Sequence, residues 1–381
     1  MIRTLLSTIG MALAAPLLAQ TAPIAAPPAT PPSSTTPTTT PRWASVDGQF
    51  TIRDFKFRSG ETMAALRVGY TTLGTPRRNA RGEIDNAVMV LHGTGGQGKS
   101  FLVPPFADEL YGPGAPLDIT TTYVILPDSI GHGASAKPSD GLRMAFPKYD
   151  YDDMVAAQRA LLVDHLGVKR LRAIVGTSMG CMQAFVWGTT YPGFAERLAP
   201  FACNAREIAG RNRFWRKMSI DAIKSDPVWS GGNYTAQPLQ GLRTSTYISI
   251  IAGANPLSLQ ARFPTRQGAE DALDLAFANG MRNLDANDRI YQLDSSRNYN
   301  PKPMLARITV PVLWINSADD FINPPELAMA EEDAKALPNA RFIMIAATAE
   351  TRGHGTHTWG KFWKADLARL LAVPVNGRMI P

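Results

Sequence analysis

Short apolar runs recur along this chain, separated by stretches in which apolar residues return at helical spacing. Residues 87–91 (AVMVL), 122–126, 171–175, 198–202, 310–316 and 341–346 are each about one buried strand long and rich in Val, Ile and Leu. Two earlier segments, 50–57 and 63–71, alternate apolar and polar residues, with Ser59-Gly60-Glu61 turning between them. Helical spacing covers residues 151–166, 181–191, 325–336 and 356–371. Strands alternating with helices predict an α/β fold with a mostly parallel, eight-stranded sheet flanked by helices. The rhythm breaks between residues 204 and 307, where Trp, Gly, Asn and amphipathic pieces give no clear alternation. This predicts one large insertion after the sixth strand, dividing a core of residues 43–204 and 308–381 from an inserted segment of residues 205–307.

The first residues do not belong to that core. Arg3 and the apolar stretch of residues 5–19 read as a signal peptide, residues 1–19, cleaved after Ala19. Residues 20–42, almost entirely Thr, Pro, Ala and Ser, predict a disordered linker. A periplasmic or secreted protein with no stable membrane insertion after cleavage is expected. A composition of 45% hydrophobic residues supports a sizeable core. The net charge of +7 is thinly spread. Its densest cluster, Arg211, Arg213, Arg216 and Lys217 interleaved with Phe214 and Trp215, fits an anionic partner or a solvated helix face with aromatics turned inward. The second is preferred, and no nucleic-acid partner is expected. Cys181 and Cys203 are read as buried free thiols, although a bridge between them is sterically conceivable.

The candidate chemistry begins at Gly176-Thr177-Ser178-Met179-Gly180, placed between a strand and a helix. That context makes the pentapeptide a nucleophile elbow, a sharp turn with Ser178 exposed at its apex. A carboxylate and then an imidazole follow in chain order, each after a strand. Asp320, four residues before Pro324, is preferred to its neighbour Asp319. His354, set between Gly353 and Gly355, is preferred to His357. In such a set His354 would take the proton of Ser178, and Asp320 would orient the imidazole and stabilise its cation. The backbone N–H groups of Met179 and Thr94 are the expected oxyanion donors. His92 is read as pinning the oxyanion loop, His132 as bracing the loop after Asp128, and His165 as a helix-end residue. His354 and His357 have no further ligand at metal spacing, so neither metal nor cofactor is expected.

Beyond these, His92-Gly93, Asp128-x-x-Gly131-His132-Gly133-x-Ser135-x-Lys137-Pro138, Phe146-Pro147, Asp153-Met154-Val155-x-x-Gln158, Gly176-x-Ser178-Met179-Gly180-Cys181-Met182-Gln183-Ala184-x-x-Trp187 and Asp226-Pro227-x-Trp229-x-Gly231-Gly232-x-Tyr234 form a long combined signature. It resembles the α/β-hydrolase fold superfamily, and more narrowly the homoserine O-acetyltransferase-like branch, over about residues 50–371. The resemblance implies that residues 205–307 form a helical cap over the active site, and it hints at a homodimer. Two positions depart from the branch. Members acting on homoserine typically carry an acidic residue after the catalytic histidine, where this chain has Gly355, and the usual second glycine after the elbow is Cys181. With the expected export, these departures lead to an exported serine hydrolase that cleaves a small-molecule carboxylic ester through an acyl-serine. The alternatives are an acyltransferase using the same triad and a non-catalytic binding protein that kept the fold.

Overall fold

The computed structural model describes residues 42–281, 284–374 and 377–379. The expected signal peptide of residues 1–19 and all but the last residue of the 20–42 linker lie outside them. Eight strands, β1 (Ser45–Lys56), β2 (Thr62–Leu73), β3 (Ala87–Leu91), β4 (Tyr123–Pro127), β5 (Ala173–Thr177), β6 (Leu198–Phe201), β7 (Val312–Ser317) and β8 (Ala340–Ile345), form one sheet in the order β1-β2-β4-β3-β5-β6-β7-β8. β1 pairs antiparallel with β2 and β2 antiparallel with β4, and every later pairing is parallel.

The five strands β3 to β7 are buried along their whole length. Their runs lack an alternating polar pattern because helices cover both faces. Alternate residues feed opposite layers, as the two-residue period of a strand requires. Met89, Leu91, Ile125 and Ile174 join one cluster with Trp187 and Trp314, while Val88, Val90, Val124 and Val175 join the other with Phe106 and Trp363.

The helices are α1 (Pro104–Leu110), α2 (Tyr151–Ala160), α3 (Met179–Thr190), α4 (Gly210–Ser225), α5 (Leu239–Gly253), α6 (Pro256–Arg262), α7 (Arg266–Gly280), α8 (Ala286–Asp294), α9 (Met329–Ala334) and α10 (Lys364–Ala372). Helices α4 to α8 occupy the insertion between β6 and β7. They bury a core of their own around Trp215, Ile223, Leu242, Ala286 and Leu293. Asp226 links two of these helices: its side chain accepts from the Val228 and Gly241 N–H groups.

Two helical segments are shorter than their spacing predicts. The 356–371 segment starts as tight turns, Gly353–Thr358 and Gly360–Phe362, and becomes α-helical only at Lys364. Gly353 and Gly360 explain this: Gly353 has φ +59°, and a Cβ on Gly360 would stand 2.8 Å from the Glu109 side chain. The 325–336 segment likewise opens as a tight turn, Pro325–Leu327, and reaches α geometry at Met329, after Ala328 has taken a left-handed conformation. The cysteines are also corrected. Cys181 and Cys203 form a disulfide with Cα atoms 5.9 Å apart, because the first turn of α3 and the end of β6 face each other directly.

Candidate active site

The site lies at the carboxyl ends of the parallel strands, where β3 leads outward to β4 on one side and β5 continues on the other. This reversal leaves a crevice in an open α/β sheet. Ser178 sits between β5 and α3 with φ 55° and ψ −111°, a conformation that costs energy for a residue bearing a Cβ. The flanking glycines make it possible. A Cβ on Gly176 would stand 2.1 Å from the Gly180 carbonyl oxygen, and one on Gly180 would stand 2.1 Å from that of Leu91. The strain is over-determined by the sheet: the Ser178 N–H donates to Phe201 O at 2.8 Å.

The three triad candidates come together. The Ser178 hydroxyl donates to His354 Nε2 at 2.7 Å, and His354 Nδ1–H donates to Asp320 Oδ2 at 2.8 Å. Asp320 is buried, and its oxygens also accept from the Ile322 and Asn323 N–H groups and the Asn323 side chain. Burial opposes its ionisation, but the His354 imidazole and the Asn323 donors outweigh that and hold the carboxyl below its ordinary value. Asp319 points elsewhere. It accepts from Thr351 Oγ1 at 2.6 Å and Gly353 N at 3.0 Å, and also from Ser317 and Asn255, bracing the loop that carries His354.

His357 packs edge-on against His354, ring centroids 5.1 Å apart. Its pKa is pushed down to about 3 by burial and then by His354, so it stays neutral.

On the opposite side, the loop after β3 leans on Ser178: a Cβ on Gly93 would stand 3.2 Å from Ser178 Cβ. His92 fixes this loop. Its Nδ1–H donates to Gly93 O at 2.9 Å and its Nε2 accepts from Ser129 N at 3.0 Å. Burial lowers its pKa, which favours the neutral tautomer those two bonds require. Met179 is the first residue of α3, so its N–H has no carbonyl four residues back to bond. Thr94 lines the cavity with Ser178, and its hydroxyl is buried without a hydrogen-bond partner. His132 donates from Nδ1 to Ile130 O at 3.0 Å, and His165 contacts Tyr70 at 2.8 Å, remote from the cavity lining. Among the described residues no group of three or more His, Cys, Asp or Glu could hold a metal ion, and no helix is long and apolar enough to cross a membrane.

The cavity measures about 990 Å³. Residues of the insertion, including Arg211, Trp215, Arg216, Ser249, Asn255 and Arg289, line it together with Ser178 and His354. The basic cluster is corrected here: Phe214 faces outward, 69% exposed, while Trp215 and Arg216 are buried at 9% and 3%. α4 therefore turns one cation inward rather than presenting a wholly solvated charged face.

A family profile described as alpha/beta hydrolase fold matches residues 86–350. The chain is 37% identical over 222 residues to homoserine O-acetyltransferase of Moorella thermoacetica, covering 54% of this chain and 58% of that protein. It is 30% identical over 298 residues to homoserine O-acetyltransferase of Solidesulfovibrio magneticus, covering 74% of this chain and 70% of the relative. The chain thus spans less than two thirds of the first relative's length and more than two thirds of the second's. Among solved structures, homoserine O-acetyltransferase from Bacillus anthracis superposes with a TM-score of 0.77 at 21% identity, over 87% of this chain and 99% of that one, which speaks to the fold alone. These relatives correct the expectation of ester hydrolysis, since both curated proteins carry an acyl-transfer name. The physical reason for the miss is that a triad makes the same acyl-serine in either reaction. The motif does not encode whether water or another hydroxyl then discharges it.

Proposed function

The chain belongs to the α/β-hydrolase fold family, in its homoserine O-acetyltransferase-like branch, and from that premise we propose that it is an O-acyltransferase acting through an acyl-Ser178 intermediate. The observation that carries this reading is the similarity to a protein named homoserine O-acetyltransferase over 74% of the chain. In the first half-reaction Ser178 Oγ attacks the carbonyl carbon of an acyl thioester such as acetyl-CoA, and His354 Nε2 takes its proton. The developing oxyanion is met by the N–H groups of Met179 and Thr94. Collapse of the tetrahedral adduct breaks the carbon–sulfur bond, and the imidazolium returns its proton to the departing thiolate. In the second half-reaction an acceptor hydroxyl takes the vacated place. His354 removes its proton as it attacks the acyl-serine, and the proton passes to Ser178 as the new ester leaves. Asp320 keeps Nδ1 protonated throughout, so that Nε2 is always the working nitrogen.

Supplying the purified protein with acetyl-CoA and homoserine tests the proposal. Release of CoA should depend on homoserine and be matched by O-acetylhomoserine, and both should vanish in Ser178→Ala. Acetyl-CoA consumption that ignores the acceptor, or that survives in Ser178→Ala, would contradict it.

A further inference from the structure

Two arginines face the cavity without an acidic partner among the described residues. Arg216, on α4, is 3% exposed; its Nε donates to Asn212 Oδ1 at 3.0 Å, and its Nη1 is buried with no acceptor. Arg289, on α8, donates to the Ser249 hydroxyl, and its Nη1 would stand 3.4 Å from a Cβ on Gly95, in the loop that carries Thr94. Both line the same cavity as Ser178, Thr94 and His354. The cavity's other arginines are satisfied: Arg206 pairs with Glu332 and Asp333, and Arg211 reaches the Phe321 carbonyl and ring.

The carboxylates around the cavity are not poised to serve the pair. Asp320 is committed to His354 and Asn323, and Asp319 to its loop donors. Glu207 and Glu326 are exposed. Asp294, on the same helix as Arg289, lies 3.9 Å from Arg213.

Holding two guanidinium groups inside a protein without a counter-charge is costly, and their mutual repulsion adds to the cost. Burial and then the charge of Arg216 push Arg289 down to about 10, and burial likewise lowers Arg216. Such a pair is stabilised when an anion arrives, and its planar donors match the two oxygens of a carboxylate. Arg289 stands beside the loop that carries Thr94 and lines the cavity with Ser178. We propose that Arg216 and Arg289 form a subsite for a carboxylate carried by the substrate, so that this site acts on anionic molecules and discriminates against their neutral analogues. The inference rests on the acyl-transfer reading for its chemistry, while the anion subsite itself is testable without turnover. The carboxylate could belong to the acyl group or to the acceptor, and the two sources separate experimentally.

Calorimetry with the full chain decides the binding. Succinate should bind and succinamide should not. Arg216→Gln and Arg289→Gln should each weaken succinate about tenfold or more, the scale of a lost charged hydrogen bond. Arg216→Lys and Arg289→Lys, which keep the charge, should recover part of the loss, and thermal unfolding checks that each variant is folded. Succinate that fails to bind, that binds the Gln variants equally, or that is outcompeted by succinamide or pyrophosphate would overturn the proposal. Kinetics then place the carboxylate. If it is on the acyl group, the kcat/KM ratio of succinyl-CoA to acetyl-CoA falls in Arg289→Gln; if it is on the acceptor, the ratio of homoserine to homoserinamide falls. Both ratios unchanged would also overturn it. Failure to acylate any acceptor would instead remove the acyl-transfer reading, with the calorimetric result still deciding the subsite.

Discussion

Ser178 can serve as the proposed nucleophile because its neighbours absorb the strain of its backbone and because one imidazole edge is held at its hydroxyl. Asp320 contributes through His354, so Asp320→Asn should leave the fold intact and lower the acylation rate by about a thousandfold or more, measured by pre-steady-state release of the leaving thiol. Asp319→Asn should cost far less, because its oxygens serve Thr351 and Gly353 rather than the imidazole.

His357 makes a separate prediction. Its folded pKa of about 3 lies below the ordinary 6.5, so the unfolded chain binds this proton more readily than the native state. Its effect on stability is therefore neutral above pH 6.5 and increasingly unfavourable as pH falls toward 3, with a slope of at most about 1.4 kcal/mol per pH unit. His357→Leu should flatten the acid limb of a stability–pH curve from chemical denaturation; an unchanged slope would show that His357 does not titrate as a buried residue. The sequence exposed these histidines and carboxylates as candidates and ranked them by spacing. It could not show that Asp319 would be consumed by four donors, because beside the adjacent Ser317 they come from Asn255 and from Thr351 and Gly353, in segments far from Asp319 along the chain.

Among the elements, the elbow strand and helix are the most tightly specified. Gly180→Ala would drive a methyl group toward the Leu91 carbonyl, forcing α3 away from β3. It should lower stability by about 1–3 kcal/mol in denaturant titration and depress activity further than the stability loss explains, through displacement of Ser178. The Cys181–Cys203 bridge ties that helix to the end of β6 across a separation of 22 residues. Removing it with the Cys181→Ala/Cys203→Ala pair should cost about 3 kcal/mol. A variant as stable as the parent would mean that the bridge contributes nothing to the fold.

Element types were legible wherever one period dominated, as in β3, β4 and β5. They were less legible where glycine replaced the helical backbone, as between Gly353 and Gly360, and in α4 to α8, whose apolar faces pack mainly on one another. Arg216 escaped for the same reason: at helical spacing it reads like its exposed neighbours, and only the packing of α4 on α5 and α8 turns it inward.

At the scale of the whole molecule, the sheet order brings the ends of β3, β5, β7 and β8 to one edge, and with them Thr94, Ser178, Asp320 and His354. That convergence follows from a parallel sheet, which is why Ser178, Asp320 and His354 could be read from their chain order as one candidate site. The cavity between sheet and insertion was not, since its shape depends on how five helices pack. On the acyl-transfer proposal the choice of acceptor is hidden too, because the shape of that cavity rather than the triad would make it.

The most direct measurement follows the acyl group itself. The protein is exposed briefly to acetyl-CoA, digested, and the Ser178 peptide weighed with and without a chase of homoserine. An acetyl adduct on Ser178 that disappears in the chase, with O-acetylhomoserine formed in equal amount, is the predicted result. An adduct that decays at one rate whether or not homoserine is present, with no ester product, would contradict acyl transfer as the function of this site.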